Sequence, residues 1–315
     1  MAEGRKSKPR IRPTRPIGLS KDSAPTKPNK PPKAINEGWF IPEPLSNRLY
    51  QKSALGKPID GGIVLTTEEV MFCHWHRHVP LPDGWVEARL EEDSNFAHKA
   101  VAYDVVRSAG EKVVPVDGKW LRWERESHPS KGPPSAEVRW ARSKETLAID
   151  DLLLWTKQVS SQELKCEFAI VDDEMDVTIY RMDLIEPKGS LDPATKEKYP
   201  LLGVDHLSRK FLRQDELDWI NGVENPVTDL FGELNSRGLL MRPGFKYGCR
   251  WRVYTTKIEA AHAPYLMQME HDSPSDWEGV CLSVRLAEGV NKSWVIAIDR
   301  GGWKFLRISR HLPGR

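Results

Sequence analysis

The feature that most constrains this chain is that it reads as if written twice. The run Lys165-Cys166-Glu167-Phe168-Ala169-Ile170-Val171-Asp172 lies on Lys292-Ser293-Trp294-Val295-Ile296-Ala297-Ile298-Asp299 without a gap. Gly110 falls against Gly238, and Trp120-Leu121-Arg122-Trp123 against Trp251-Arg252-Val253-Tyr254. Self-similarity at such spacing is the mark of a diverged tandem repeat. Each copy alternates helical and strand-like signals, so the expected class is α/β (α+β), each copy carrying a mixed sheet.

Local signals agree with this division. Thr66-Thr67-Glu68-Glu69 reads as a capping box that opens a helix through Val70, Met71 and Phe72. A second helix is expected from Asn95 to Ser108, stopped by Gly110. Strands are expected over Lys112 to Val116 and Lys119 to Glu124, joined by the hairpin dipeptide Asp117-Gly118. Another hairpin joins Glu167–Val171 to Val177–Met182 across the acidic stretch Asp172-Asp173-Glu174-Met175-Asp176. The second copy repeats the order: a helix over Val227 to Arg237, a turn at Pro243-Gly244, a strand over Arg250 to Tyr254, and a terminal hairpin across Arg300-Gly301-Gly302.

Before the first copy lies a proline-punctuated basic stretch with few large apolar residues. It cannot bury enough surface to offset its ordering entropy, so residues 1–38 are expected to be a disordered tail. The copies are then bounded as 39–190 and 191–315. The formal net charge is only +2, so any nucleic-acid surface must come from where the charges sit, not from their sum. Cys73, Cys166, Cys249 and Cys281 are scattered, as in a reducing compartment. No apolar run approaches a membrane span and no apolar h-region follows the basic start, so the expected location is cytoplasmic.

The second copy carries a chemistry. RNA can be cut without metal when the adjacent 2′-hydroxyl attacks phosphorus, given a base, an acid and a cation. Tyr254, His262 and Lys292 offer these at the ends of predicted strands; His271 is the only close competitor of His262.

The stretch Phe245-Lys246-Tyr247-Gly248 entering Arg250–Tyr254, then His262-Ala263-Pro264-Tyr265, then Ser283-Val284-Arg285 and Asn291-Lys292 before an apolar strand, resembles the core of the archaeal tRNA-splicing endonucleases (tRNA-intron lyases), specifically the two-repeat homodimeric euryarchaeal type. Matches run over most of residues 45 to 312. Tyr254 and His262 are closer in sequence than is usual in that family, so the loop between them must be short.

The resemblance implies a small N-terminal α/β lobe in each copy followed by a restriction-endonuclease-like mixed-sheet lobe, the second copy catalytic. It implies Tyr254 as general base, His262 as general acid and Lys292 as electrostatic stabiliser. It also implies Arg285 and Arg307, seven residues before and fifteen after the lysine, as a cation–π clamp on a bulged base. The acidic loop Asp172, Asp173, Glu174 and Asp176 would dock on a partner subunit in a homodimer. The substrate would be the bulge-helix-bulge of a precursor tRNA, the products a 2′,3′-cyclic phosphate and a 5′-hydroxyl, with no cofactor and no metal. In the first copy Trp123 stands for Tyr254, Gln158 for Arg285 and Tyr180 for Arg307. No histidine fits well there, His128 being nearest, and only Lys165 survives.

Three rivals use other residues. Asp151, Glu163 and Lys165 have the form of a magnesium-nuclease motif. Cys73, His74, His76 and His78 have the composition of a zinc site. A non-catalytic RNA-binding or scaffold subunit would leave the tyrosine, histidine and lysine without chemistry.

Overall fold

A computed structural model describes residues 32–35, 38–108 and 110–312. The chain divides into two compact units, one running to Gly118 and taking in Trp123–Pro133, the other comprising Lys119–Arg122 and Pro134–Arg315. The expected tail lies outside the described residues except at its end. There Lys33–Ile35 forms a strand, β1, instead of disordered chain. It pairs antiparallel with β2 (Gly38–Pro42), where Trp39 and Ile41 are buried.

The first unit continues with α1 (Leu45–Ser53), β3 (Lys57–Ile59), β4 (Gly62–Leu65), α2 (Thr67–Arg77), α3 (Trp85–Glu92), α4 (Phe96–Arg107) and β5 (Lys112–Val116). Its sheet order is β1-β2-β4-β3. The capping box forms as expected: the Thr66 N–H donates to Glu69 Oε2 at 3.0 Å. The other oxygen of Glu69 accepts from the Gly56 N–H at 2.8 Å, so one carboxylate caps the helix and pins a turn. Burial nonetheless pushes the Glu69 carboxyl up to about 7, against the pull of these bonds and of Arg107. Arg107 donates to the Val113 and Ser53 carbonyls and lies over the Phe72 ring, 4.7 Å from its centroid.

The second unit holds β6 (Lys119–Trp123, up to Arg122), β7 (Ala136–Arg142), α5 (Ile149–Ser160), β8 (Lys165–Val171), β9 (Val177–Ile185), β10 (Val204–His206), β11 (Arg209–Phe211), α6 (Gln214–Ile220), α7 (Pro226–Ser236), β12 (Leu240–Pro243), β13 (Trp251–Tyr254), β14 (Tyr265–Met269), α8 (Trp277–Glu288), β15 (Ser293–Asp299) and β16 (Trp303–His311). Within this unit a mixed sheet runs β12-β13-β14-β15-β16-β9-β8-β7-β6. β7 and β8 are parallel, as are β14 and β15; each of those crossovers passes through a helix, α5 or α8. The two halves meet where β9 pairs antiparallel with β16.

Both faces of the central strands are covered, which is why they read as unbroken apolar runs. Along β15, Trp294, Ile296 and Ile298 share a core with α5 and α8, while Val295 and Ala297 pack with Leu230, Phe231 and Leu234 of α7. The ring of Phe168 stacks on Trp277, centroids 4.3 Å apart, and the Glu278 N–H donates to the Ser143 carbonyl at 2.8 Å.

Backbone geometry corrects the ungapped alignment of the two halves by one residue. After α5 and α8 the chain turns at Glu163 and Asn291, whose φ values are positive, 59° and 56°. The N–H groups of Leu164 and Lys292 donate to Val159 and Ala287, five residues back in each case. Those of Lys165 and Ser293 donate to Ser135 and Pro264 on the neighbouring strand. Lys165 is therefore placed like Ser293, and Leu164 like Lys292. Following the same register, Lys157 corresponds to Arg285 and Arg181 to Arg307, in place of Gln158 and Tyr180. A slip of one residue exchanges the two faces of a strand, and identical lysines mask it.

Candidate active site

The register assembles one end of the sheet. Val253 on β13 is opposite Tyr265 on β14, and Tyr265 is opposite Ser293 on β15. Tyr254 is one residue beyond this row and Lys292 one before it, so they stand at the same end of the two strands that flank β14. Two strand spacings put their backbones about 10 Å apart, within reach of a phenol and a four-carbon ammonium. His262 lies on the loop that enters β14 and is exposed. Lys292 Nζ donates to the carbonyl of Ala263, the next residue, at 2.8 Å. The lysine thus fastens the loop that carries the histidine.

Tyr254 is buried, opposite Leu240 on β12, and its ring packs with the core beneath α7. Burial, and then Arg252, hold the Lys292 ammonium below its ordinary value. Arg252 also lies beside Tyr254, its guanidinium carbon 5.9 Å from the ring. The sequence motif passes over this arginine. Its position two residues before the tyrosine on one strand is the available signal, since such residues share a face.

His271 is excluded from this end. It follows Met269 at the far end of β14 and lines a cavity with Glu270, Ala297 and Asp299. His128, in the first unit, is held by Ser130 Oγ and the Tyr50 carbonyl.

The two arginines expected to clamp a base are not brought together within one chain. Arg307 alternates with Leu306 and Ile308, which face α5 and α8, so it lies on the opposite face of the sheet, paired with Asp183 at 3.0 Å. Arg285 is on α8, exposed. It lines a cavity of ≈ 380 Å³ with Cys281 and the whole acidic loop, Asp172, Asp173, Glu174 and Asp176. The loop is ordered by Asp172, whose Oδ1 accepts from the Glu174 and Asp176 N–H groups.

The metal rivals do not assemble. Asp151 lies in the first turn of α5 and Glu163 beyond its last, separated by nearly the helix length of about 18 Å. Asp151 pairs with Arg139 instead. His74 Nδ1 donates to the Val79 carbonyl at 3.0 Å, and His76 pairs with Asp104. Cys73 is buried, its thiol pushed up to about 12 by desolvation. Among the described residues no group of His, Cys, Asp or Glu side chains gathers at metal-ligand spacing.

A sheet end bearing a phenol, a loop imidazole and a lysine is a candidate acid–base site, and comparison with known proteins shows what the segment around it is similar to. Residues 228–304 match the family of the tRNA intron endonuclease, catalytic C-terminal domain. The match runs from α7 into β16 and contains Tyr254, His262, Arg285 and Lys292, ending before Arg307. A tRNA-splicing endonuclease of Picrophilus torridus is 29% identical over 164 residues, 47% of this chain and 56% of that protein. One of Thermoplasma volcanium is 31% identical over 158 residues, 44% of this chain and 53% of that protein. One of Methanococcoides burtonii is 22% identical over 331 residues, 84% of this chain and 94% of that protein. The alignment spans about half the length of the first two relatives and nearly all of the third. The resemblance to archaeal tRNA-splicing endonucleases therefore stands, locally for the catalytic domain and over most of the chain for the longer relatives. Among the described residues no helix is long and apolar enough to cross a membrane.

Proposed function

We propose that this chain is an endoribonuclease that excises introns from precursor tRNA at bulge-helix-bulge sites, without a metal ion. The carrying observation is that Tyr254 ends β13 and Lys292 precedes β15 at the same end of the sheet, with Lys292 bonded to the loop that holds His262, inside the segment that matches the catalytic domain family. On this reading the chain is a tandem repeat, 39–190 structural and 191–315 catalytic, each with a restriction-endonuclease-like sheet.

The 2′-oxygen next to the scissile bond attacks phosphorus while the bond to the 5′-oxygen breaks. Tyr254 takes the 2′-hydroxyl proton and His262 gives a proton to the departing 5′-oxygen. Lys292 offsets the charge that gathers on the phosphorane. The products are a 2′,3′-cyclic phosphate and a 5′-hydroxyl. Because burial and Arg252 hold the Lys292 ammonium low, its contribution is lost earlier than usual as pH rises.

Arg285 and Arg307 contact the RNA from separate faces of a protomer. Asp172, Asp173, Glu174 and Asp176 join two copies into a homodimer, which matches two active sites to a two-fold substrate.

End-group analysis of a cleaved intron-bearing precursor tRNA in the presence of EDTA tests this. Cyclic phosphate and 5′-hydroxyl ends are expected; 3′-hydroxyl and 5′-phosphate ends rule the mechanism out. A change of the acidic loop to amides is expected to give monomers on a sizing column, and an unchanged active dimer contradicts the loop's role.

A further inference from the structure

Two cations with no carboxylate partner among the described residues lie near the proposed reaction centre. Among the described residues no carboxylate forms an ion pair with Arg252 or with Lys292; each bonds to a carbonyl, Pro243 for Arg252 Nε at 3.0 Å and Ala263 for Lys292 Nζ at 2.8 Å. Nearby arginines are compensated: Arg242 lies 3.8 Å from Glu216, and Arg250 and Arg307 pair with Asp272 and Asp183. The carbon of the Arg252 guanidinium lies 6.0 Å from the ring centroid of Tyr247 and 5.9 Å from that of Tyr254. It is close enough to Lys292 to help hold that ammonium low.

Like charges on the two sides of β14, on a half-buried surface, repel each other, and no carboxylate among the described residues pairs with either. An anion between them would. We infer that Arg252 is a further substrate-contacting residue, whose terminal N–H groups take a non-bridging oxygen of the reacting phosphodiester opposite Lys292. Nε is occupied by Pro243, which fixes the plane of the fork. Both terminal nitrogens are left to meet phosphate oxygens, a geometry that lysine cannot reproduce. The inference rests on the reading of Tyr254, His262 and Lys292 given above.

The test uses a precursor tRNA with sulfur in place of one or the other non-bridging oxygen at a cleavage site. The parent, Arg252→Gln and Arg252→Lys are compared in single-turnover cleavage. The parent is expected to cleave one diastereomer more slowly than the other. Arg252→Gln is expected to lose about 10²-fold in rate on the all-oxygen substrate and to lose the distinction. Arg252→Lys is expected to recover part of the rate but not the distinction. A parent indifferent to sulfur, or a glutamine variant that keeps the parent's preference, overturns the inference. Should Arg252→Gln fail to fold, the lysine variant decides: lost preference at a parent-like melting temperature supports it and retained preference overturns it. Tyr254→Phe is run alongside. If it cleaves like the parent, the reading of the whole site fails; if it is inactive while Arg252→Gln keeps its preference, only the role of Arg252 fails.

Discussion

The two halves of the large sheet share one pairing scheme and treat charge in opposite ways. In the first half Arg181 is tied to Glu167, which is 1% exposed and also grips Arg122 at 2.7 Å. Burial works to raise the Glu167 carboxyl, yet the two guanidiniums and His311 hold it below its ordinary range. In the second half the residue placed like Glu167 is Val295, and the one placed like Leu164 is Lys292. Among the described residues, Arg252 and Lys292 hydrogen-bond only to carbonyls. The first half thus ties two guanidiniums to one buried carboxylate, while the second, with ion pairs such as Arg250–Asp272 of its own, leaves Arg252 and Lys292 without a carboxylate partner among the described residues. On the reading proposed above, the internal pairing serves a scaffold and the unpaired charge serves a site for an anion.

The sharpest way to break this comparison is to remove the open charge. On our reading, Lys292→Ala or Tyr254→Phe lowers single-turnover cleavage by about 10²–10⁴-fold with RNA binding largely kept. Lys165→Ala, at the position that the unshifted alignment makes equivalent, leaves cleavage unchanged. Equal losses at Lys165 and Lys292 would restore the unshifted register and dissolve the contrast. The next effect is on stability. Glu167→Gln leaves two guanidiniums beside an uncharged partner, and chemical denaturation should show a loss of about 3–5 kcal/mol. A loss under about 1 kcal/mol would mean that the first half is not held by this network.

Part of this contrast is legible in the sequence. Val295 to Ile298 announces a strand covered on both faces, and Thr66 with Glu69 announces a helix start, because apolar runs and caps are local signals. Tyr254, His262 and Lys292 are singled out in the sequence by their resemblance to a known family's motif. Where the ends of their strands lie is not legible there, because it depends on which strands pair and in what register. The one-residue slip between the halves is the clearest case. Lys165 and Lys292 are identical letters, and only the positive φ of Glu163 and Asn291 shows which residue follows the turn. Arg252 is hidden for a related reason: the part proposed for it rests on its having no carboxylate partner among the described residues, and sequence does not record neighbours in space. Likewise, Arg285 and Arg307 fit a linear spacing while lying on opposite faces of the sheet.

The first unit offers a contrasting carboxylate. Glu167 has cations to hold its charge, whereas Glu69 relies chiefly on two backbone N–H groups and sits at about 7, up from 4.5. A carboxyl whose folded value is raised binds its proton more tightly in the native state. Its contribution is fully present below about pH 4.5 and is lost as pH rises through about 7. Melting of the protein followed from about pH 5 to about pH 7 should show the first unit losing at most about 3 kcal/mol, and Glu69→Gln should flatten that slope. A slope that survives in the glutamine variant would assign it to another group.

The smallest expected effect tests the comparison at its finest point. Arg181 and Arg307 occupy like positions, but Glu167 is buried beneath the first, while Asp183, 37% exposed, pairs with the second at 3.0 Å. Water screens that second pair, so Asp183→Asn should change stability by less than about 1 kcal/mol. It also frees Arg307 from its only carboxylate among the described residues. If Arg307 meets RNA, removing its competitor should tighten binding of a precursor tRNA by a few-fold, and more at low salt than at high, since the gain is one of charge. The opposite loss is expected at Arg181, where Glu167→Gln weakens the fold without tightening RNA. Binding measured by filter retention at two salt concentrations separates the cases. An affinity indifferent to Asp183 would mean that Arg307 serves the sheet, as Arg181 does, and would leave Arg252 and Lys292 as the unpaired cations proposed to meet the reacting phosphate.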